Sequence, residues 1–422
     1  MSEESKASLL KALGPGILFA STAIGVSHLV QSTRAGATYG LALLWAVILA
    51  NLFKYPFFEF GSRFAISSGF SLIQGFRQLG RWALHVYTLV TLASMFFVAA
   101  AVTAVTASFF DNLLGLSSRF GLTVHSISLI LMASSSLILV LGRYRLLDSL
   151  IKVIASCLTI STVVAFILCV KEGPMSSDLQ FSFAYPSGPE DLAFMIALMG
   201  WMPTAVDLSA WNSLWTLERN RMNEWQNDKR SVLLDFDIGY MLSAGLAICF
   251  VVLGAFLFHG TGTELSMNSA RFAHQVVGMY TEVMGSWTYW LIATASFSIM
   301  LGTCIAVFDG YARSFDEIFR CYREAPFQSP DKDGRHVYTP VLLILAVGAY
   351  LIIRYFGGSM RSLVDIATTI SFLIAPVIAM FNLRLVHAPY VRIEDEPPRW
   401  LRYLAYAGIL FLMAFGILFL TA

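Results

Sequence analysis

The sequence predicts an all-α integral membrane protein with eleven transmembrane helices, built as two five-helix halves and one further helix. Three observations carry that prediction. Hydrophobic residues make up 57% of the 422-residue chain and charged residues only 13%, where a soluble domain carries about 25% charged residues. Eleven apolar stretches are long enough to cross the hydrocarbon core, which takes about 20 residues. Two of them, the first and the sixth, are interrupted by residues that a helix tolerates poorly. Backbone groups freed at membrane depth must line a cavity rather than face lipid, and in secondary transporters that cavity is the substrate site. The first and sixth segments are corresponding members of the two halves, so the matched interruptions point to a transporter.

Segment one, residues 14–36, opens on Gly14-Pro15-Gly16 and is interrupted around Gly25-Val26-Ser27-His28. Segment two, 40–66, carries Lys54, Glu59 and Arg63. Segments three to five, 80–110, 122–141 and 147–170, are apolar runs that complete the first half, 14–170. Segment six, 190–217, is interrupted at Gly200-Trp201-Met202-Pro203, where Pro203 removes an amide donor and opens the helical ladder. Segments seven to ten, 233–259, 283–316, 338–355 and 360–385, complete the second half, 190–385, and segment eleven, 401–421, is the additional helix. Connections are short, the longest polar ones being Glu218–Arg230 and Arg320–Tyr338, and they leave no room for a soluble domain. Lys171–Glu190 reads as a Ser-, Pro- and Gly-rich surface loop. The tail Met1–Leu13 carries both charge signs and does not read as a cleavable signal peptide.

Lys and Arg set the orientation. With the N-terminus in the cytoplasm and eleven alternating spans, 21 of the 28 basic residues fall on inside segments, 6 fall outside, and Lys54 lies within a span. The sequence therefore predicts a cytoplasmic N-terminus and an outside C-terminus. Cys157, Cys169, Cys249, Cys304 and Cys321 are scattered, four of them within spans, which indicates neither a disulfide framework nor a zinc site. The net charge of +1 says nothing of nucleic acid, and no Walker motif or nucleophile–base pair is present. The chain reads as neither an ATPase nor an enzyme, and no cofactor is expected.

Ionisable residues inside spans are costly and mark functional candidates. His28 follows the interruption in segment one, where a neutral imidazole suits a metal ligand, a titrating one suits proton coupling, and a capping histidine suits neither. Met202, beside Pro203 and Thr204, offers a soft thioether or simply packs. Helical spacing places Asp207 on the face of Pro203, Thr204 and Trp211, about 140° from Met202. It therefore lines the path below the site, coupled to a proton or sodium, or holds a neighbouring helix. Glu59 and Arg63 stand four apart and suit a pair on one helix face, leaving Lys54 to find Asp207 or a freed carbonyl. A salt-bridge network holding the helices together is the plainer account of this trio. Asp309 with Arg313 and Asp365 with Arg361 suit similar intrahelical pairs, while His85, His125, His259 and His387 lie near span ends.

Gly14-Pro15-Gly16, Ala35-Gly36-Ala37-Thr38-Tyr39-Gly40, Leu43-Leu44-Trp45, Ala50-Asn51-Leu52 and Met202-Pro203 resemble the Nramp family of divalent-metal transporters. The resemblance implies a LeuT-type inverted-repeat fold and proton-coupled import of manganese or iron. It also exposes departures. The family's first break reads Asp-Pro-Gly-Asn, with Asp and Asn on the metal; the corresponding positions here are Gly25, Val26, Ser27 and His28. In segment six the family reads Met-Pro-His, so Met202 is kept and Thr204 replaces the histidine, while Met199 stands where the family has a small residue.

A dication in a low-dielectric site needs nearby negative charge. An imidazole, thioethers and carbonyls make a neutral, soft site better suited to a monovalent ion such as Cu(I). Without the aspartate, the positive ends of the broken helices also favour an anion, and Gln31 and Arg34 would assist it on its way in. The chain thus reads as a plasma-membrane secondary transporter, monomeric, binding a small ion or small molecule between Gly25, Ser27, His28 and Met199, Met202, Thr204. His28 and Asp207 are candidates for coupling to H+ or Na+, with Gln31, Arg34, Lys54 and Glu59 along the pathway. A non-transporting sensor or auxiliary subunit is the remaining alternative, though the short loops supply no output domain.

Overall fold

A computed structural model describes residues 15–141, 144–176, 179, 188–222, 228–263, 265–266, 269–323, 337–356 and 360–421. The tail Met1–Leu13, Gly14, Arg143, Lys332 and Arg335 lie outside the described residues, as do residues 177–178 and 180–187 of the Lys171–Glu190 loop.

Among the described residues every regular element is helical. Segment one is α1 (Pro15–Ala23), a π-helical stretch (Ser27–Ser32) and α2 (Thr33–Tyr39). Segment two is α3 (Leu44–Ser68), followed by the short α4 (Leu72–Leu79). Segment three is α5 (Arg81–Leu114), and α6 (Leu116–Phe120) leads to segment four, α7 (Val124–Val140), and segment five, α8 (Tyr144–Glu172). Segment six is α9 (Pro189–Gly200), a single 3-10 turn (Val206–Leu208) and α10 (Ser209–Met222). Then come α11 (Lys229–Phe258), α12 (Ser269–Met284), α13 (Tyr289–Arg323), α14 (Tyr338–Tyr355), α15 (Met360–Leu385) and α16 (Arg399–Thr421).

Among the described residues six helices (α5, α11, α13, α14, α15 and α16) are each long and apolar enough to cross a membrane. Segments one and six fall short because they are broken, and α3 because Asn51, Lys54, Glu59 and Arg63 dilute its apolar content. Among the described residues three helices, α4, α6 and α12, arise where the sequence reads as connection. α4 is closed by a capping box, Ser71 and Gln74 each satisfying the other's backbone amide. α12 is amphipathic: Phe272, Ala273, Val276, Val277 and Tyr280 are buried at helical spacing, a stripe that seals a helix against the bundle without making it a span.

The close packing of segments one and seven positions the site. A Cβ added at Gly16 would lie 2.0 Å from Asp235 O, and one at Gly36 would lie 2.0 Å from Val251 O. Only glycine lets α1 and α2 lie backbone to backbone along α11. Gly16 N also donates to Asp235 Oδ2 at 2.7 Å. Segment six is held to segment ten in the same way, since a Cβ at Gly200 would meet Thr368 O at 2.0 Å.

Candidate functional site

Both interruptions read from the sequence are present, and they touch. Segment one loses regular α-helical geometry at Ile24 and resumes with wider turns at Ser27. Gly25 allows this close quarter: a Cβ there would stand 2.8 Å from Thr303 Oγ1 on α13. Segment six leaves helical geometry from Trp201 to Ala205, across a cis Met202–Pro203 peptide. The spacing argument that set Asp207 about 140° from Met202 on a continuous helix does not extend across this stretch. Ser27 Oγ reaches Pro203 O at 3.2 Å, and Ser32 Oγ reaches the Met202 sulfur at 3.9 Å. Ser27, His28, Met199, Met202 and Thr204 are all buried.

His28 is fully buried and both ring nitrogens are engaged. Nε2 lies 2.8 Å from the carbonyl oxygen of Ser243 on α11, and Nδ1 lies 2.8 Å from Ser27 Oγ. A carbonyl only accepts, so Nε2 carries the hydrogen, and the ring when neutral presents its Nδ1 lone pair to Ser27. The Ser27 hydroxyl has one proton and three acceptors within reach: Nδ1, Ala23 O at 2.7 Å and Pro203 O. It can turn away from Nδ1 without losing a hydrogen bond. The carbonyl that anchors His28 belongs to segment seven, 215 residues away in sequence, where a serine in an apolar run gives no signal.

Lys54 of α3 is the second centre. Its ammonium is buried among freed carbonyls of segment six, 2.6 Å from Met199 O, 2.8 Å from Gly200 O and 3.4 Å from Thr204 O. Of the two acceptors the sequence offered, it takes the carbonyls. Asp207 is buried within electrostatic range of Lys54, Tyr87 and Tyr311, and its Oδ1 has no hydrogen-bond partner. Glu59 and Arg63 form the expected pair, Arg63 Nη2 lying 2.5 Å from Glu59 Oε1, and Arg63 also donates to Asp395 O at 3.0 Å. Asp309 and Arg313 pair likewise at 2.6 Å.

Asp365, expected to pair with Arg361 on its own helix, carries a bidentate pair with Arg34 of segment one, at 2.7 and 3.1 Å. Gln31 donates to the same carboxylate at 3.0 Å and accepts from Arg34 at 2.8 Å. Gln31 and Arg34 are thus tied across segments one and ten. Beyond them opens a cavity of about 550 Å³ lined by Arg34, Tyr39, Asp191, Phe194, Arg361 and Asp365. Of the four histidines placed near span ends, three bond locally or across helix ends, His85 to Tyr322, His259 to Ala37 O and His387 to Leu383 O, while His125 Nδ1 has no partner. Among the described residues no three His, Cys, Asp or Glu side chains converge in a way that could hold a metal ion, and none of the five cysteines is in a disulfide.

The family profile described as natural resistance-associated macrophage protein-like, Nramp, matches residues 16–422. An uncharacterized protein of Pasteurella multocida (strain Pm70) is 36% identical over 413 residues, which cover 97% of this chain and 92% of that one. Among solved structures, the manganese transporter of Eremococcus coleocola in complex with an aromatic bis-isothiourea compound aligns with a TM-score of 0.67 at 14% identity, over 99% of this chain and 87% of that one. Mhp1, a nucleobase-cation-symport-1 family transporter in a closed conformation with bromovinylhydantoin bound, aligns with a TM-score of 0.60 at 12% identity, over 97% and 92% of the two chains. At such identities the likeness is one of fold, the LeuT type.

Proposed function

The chain belongs to the Nramp family, and from that premise we propose that it is a secondary active transporter whose altered site takes a soft metal ion. The reading sets the N-terminus in the cytoplasm of a plasma-membrane protein, the C-terminus outside, and the halves 14–170 and 190–385 as inverted repeats. Segments one and six rock against a scaffold of segments three, four, eight and nine, and the cargo lies between Gly25–His28 and Met199–Thr204. Asp207 and His28 serve a coupling proton or sodium.

One observation supports this cargo best: the hydrogen bond from His28 Nε2 to Ser243 O. It fixes the tautomer and leaves Nδ1 as a lone-pair donor at the break, as a backbone carbonyl does for a ligating histidine. The Ser27 hydroxyl can release Nδ1 by turning to Ala23 O or Pro203 O. Met202 adds a thioether, a ligand for soft ions. No carboxylate replaces the family's aspartate at Gly25, so a hard dication would enter uncompensated.

Uptake into proteoliposomes under an inward proton gradient tests the reading, with Mn2+ and Cu(I) as probes and an established family member as control. Uptake of Cu(I) above that of Mn2+ is expected. An active control beside a chain that moves neither ion overturns the metal reading. A second reading, a small anion, has its own support in the buried Lys54 ammonium beside the break. Uptake of labelled organic or inorganic anions in the same vesicles would decide for it.

A further inference from the structure

Lys54 sits where an inorganic cation would. α9 ends at Gly200; the Gly200 carbonyl has no further helical turn to donate to it, and the Met199 carbonyl accepts from the turn amides of Trp201 and Met202. Such a helix end carries partial negative charge and attracts cations. The Lys54 ammonium reaches both carbonyls and also Thr204 O on the far side of the break. Three acceptors match the three N–H donors of an ammonium; a neutral amine has two and would point a lone pair at a carbonyl. Asp207, buried with an unpartnered oxygen and within electrostatic range, supplies countercharge without an ion pair.

We propose that the carbonyls of Met199, Gly200 and Thr204 form a monovalent-cation site that the chain fills permanently with its own Lys54 ammonium. The break in segment six then keeps its shape with no sodium or potassium ion bound there, and any coupling ion acts elsewhere. The proposal rests on reading the break as the heart of a transporter. Its test uses folding stability rather than transport, so its failure is distinguishable from the failure to find a cargo.

Thermal unfolding of the full chain, purified in detergent, is measured at constant ionic strength in N-methylglucamine, sodium, potassium, ammonium and methylammonium chloride. The wild type is expected to unfold at one temperature in all five. Lys54→Ala is expected to lose at least about 5 °C in N-methylglucamine and to regain it saturably with one of the small cations, because a ligand of the native state raises stability with its concentration. Lys54→Met, whose side chain fills the same space without donors, is expected to lose stability and to regain none. A monodisperse Lys54→Ala variant indifferent to every small cation would overturn the proposal. So would a Lys54→Met variant as stable as wild type, which would assign Lys54 to packing by its stem. A wild type that sodium stabilises specifically would overturn it without any variant having to fold.

Discussion

With the N-terminus in the cytoplasm as proposed, removing the Arg34–Asp365 pair should open the outer side of the site. The two side chains join segment one to segment ten between the buried residues of the breaks and the outer cavity, through bonds of 2.7 and 3.1 Å, with Gln31 bonded to both. The Arg34 side chain is 5% exposed and that of Asp365 34%. Such a pair lies between an exposed bridge, worth up to about 1 kcal/mol, and a fully buried one, whose rupture costs about 3–5 kcal/mol. On the proposed alternating-access cycle, that amounts to about 1–2 kcal/mol for the outwardly closed state, and losing it multiplies the outward-open population by about 5 to 30. The assay is labelling of Thr204→Cys by an impermeant thiol reagent added outside, on a background in which Cys157, Cys169, Cys249, Cys304 and Cys321 are replaced by serine or alanine. Arg34→Ala and Asp365→Ala should each speed labelling within that range, and the double variant should be no faster than either. Unchanged rates in both single variants, or effects that multiply in the double, would show that the pair does not hold the outer side shut.

His28→Ala removes two buried hydrogen bonds and a ring, so about 2–4 kcal/mol of stability should go with it. Calorimetric affinity for Cu(I) should fall by more than the roughly 10- to 100-fold typical of an outer-shell partner; unchanged affinity in a monodisperse variant would take His28 out of the site. Gly36→Ala places a Cβ 2.0 Å from Val251 O and should cost at least the about 1–3 kcal/mol of an overpacked core. Gly245→Ala on α11, where nothing lies within 4 Å of the added Cβ, should leave the unfolding temperature unchanged or raised. Glu59→Gln leaves Arg63 buried without its counterion and should lose about 3–5 kcal/mol, whereas Glu59→Met with Arg63→Met should recover most of it. A double variant no more stable than the single would contradict that account.

What the sequence discloses depends on how local the signal is. The breaks at Gly25–Ser27 and Trp201–Ala205 were legible because Gly and Pro act on their own backbone. The Glu59–Arg63 and Asp309–Arg313 pairs were legible because a four-residue spacing suffices to predict them. Asp365 shows the limit: Arg361 offers the same spacing, yet a bidentate pair forms with Arg34, 331 residues away, once segments one and ten are brought together. Ser243 shows another limit, since its contribution is a backbone carbonyl that any residue would supply. α12 escaped the reading because its apolar residues form a stripe rather than a run. The resemblance to Nramp transporters, carried by residues in segments one, two and six, is borne out over nearly the whole chain.

Two features of the proposed site belong together electrostatically. At the position of the family's metal-binding aspartate stands Gly25, and three carbonyls of the facing break are taken by a buried ammonium. Restoring a carboxylate at position 25 would also be resisted sterically, because Thr303 Oγ1 stands 2.8 Å from a Cβ there. With Lys54 positive and Asp207 the buried carboxylate within its electrostatic range, the site is near neutrality before any cargo arrives. Two positive charges added to that arrangement would go uncompensated in a medium where desolvating an unpaired charge is costly. A monovalent ion held by Nδ1 of His28 and the Met202 thioether adds half the charge and brings ligands matched to its softness, and an anion would be drawn by Lys54 itself. On the proposed reading, a glycine at position 25 and a buried lysine facing it therefore turn the site toward cargo of lower or opposite charge.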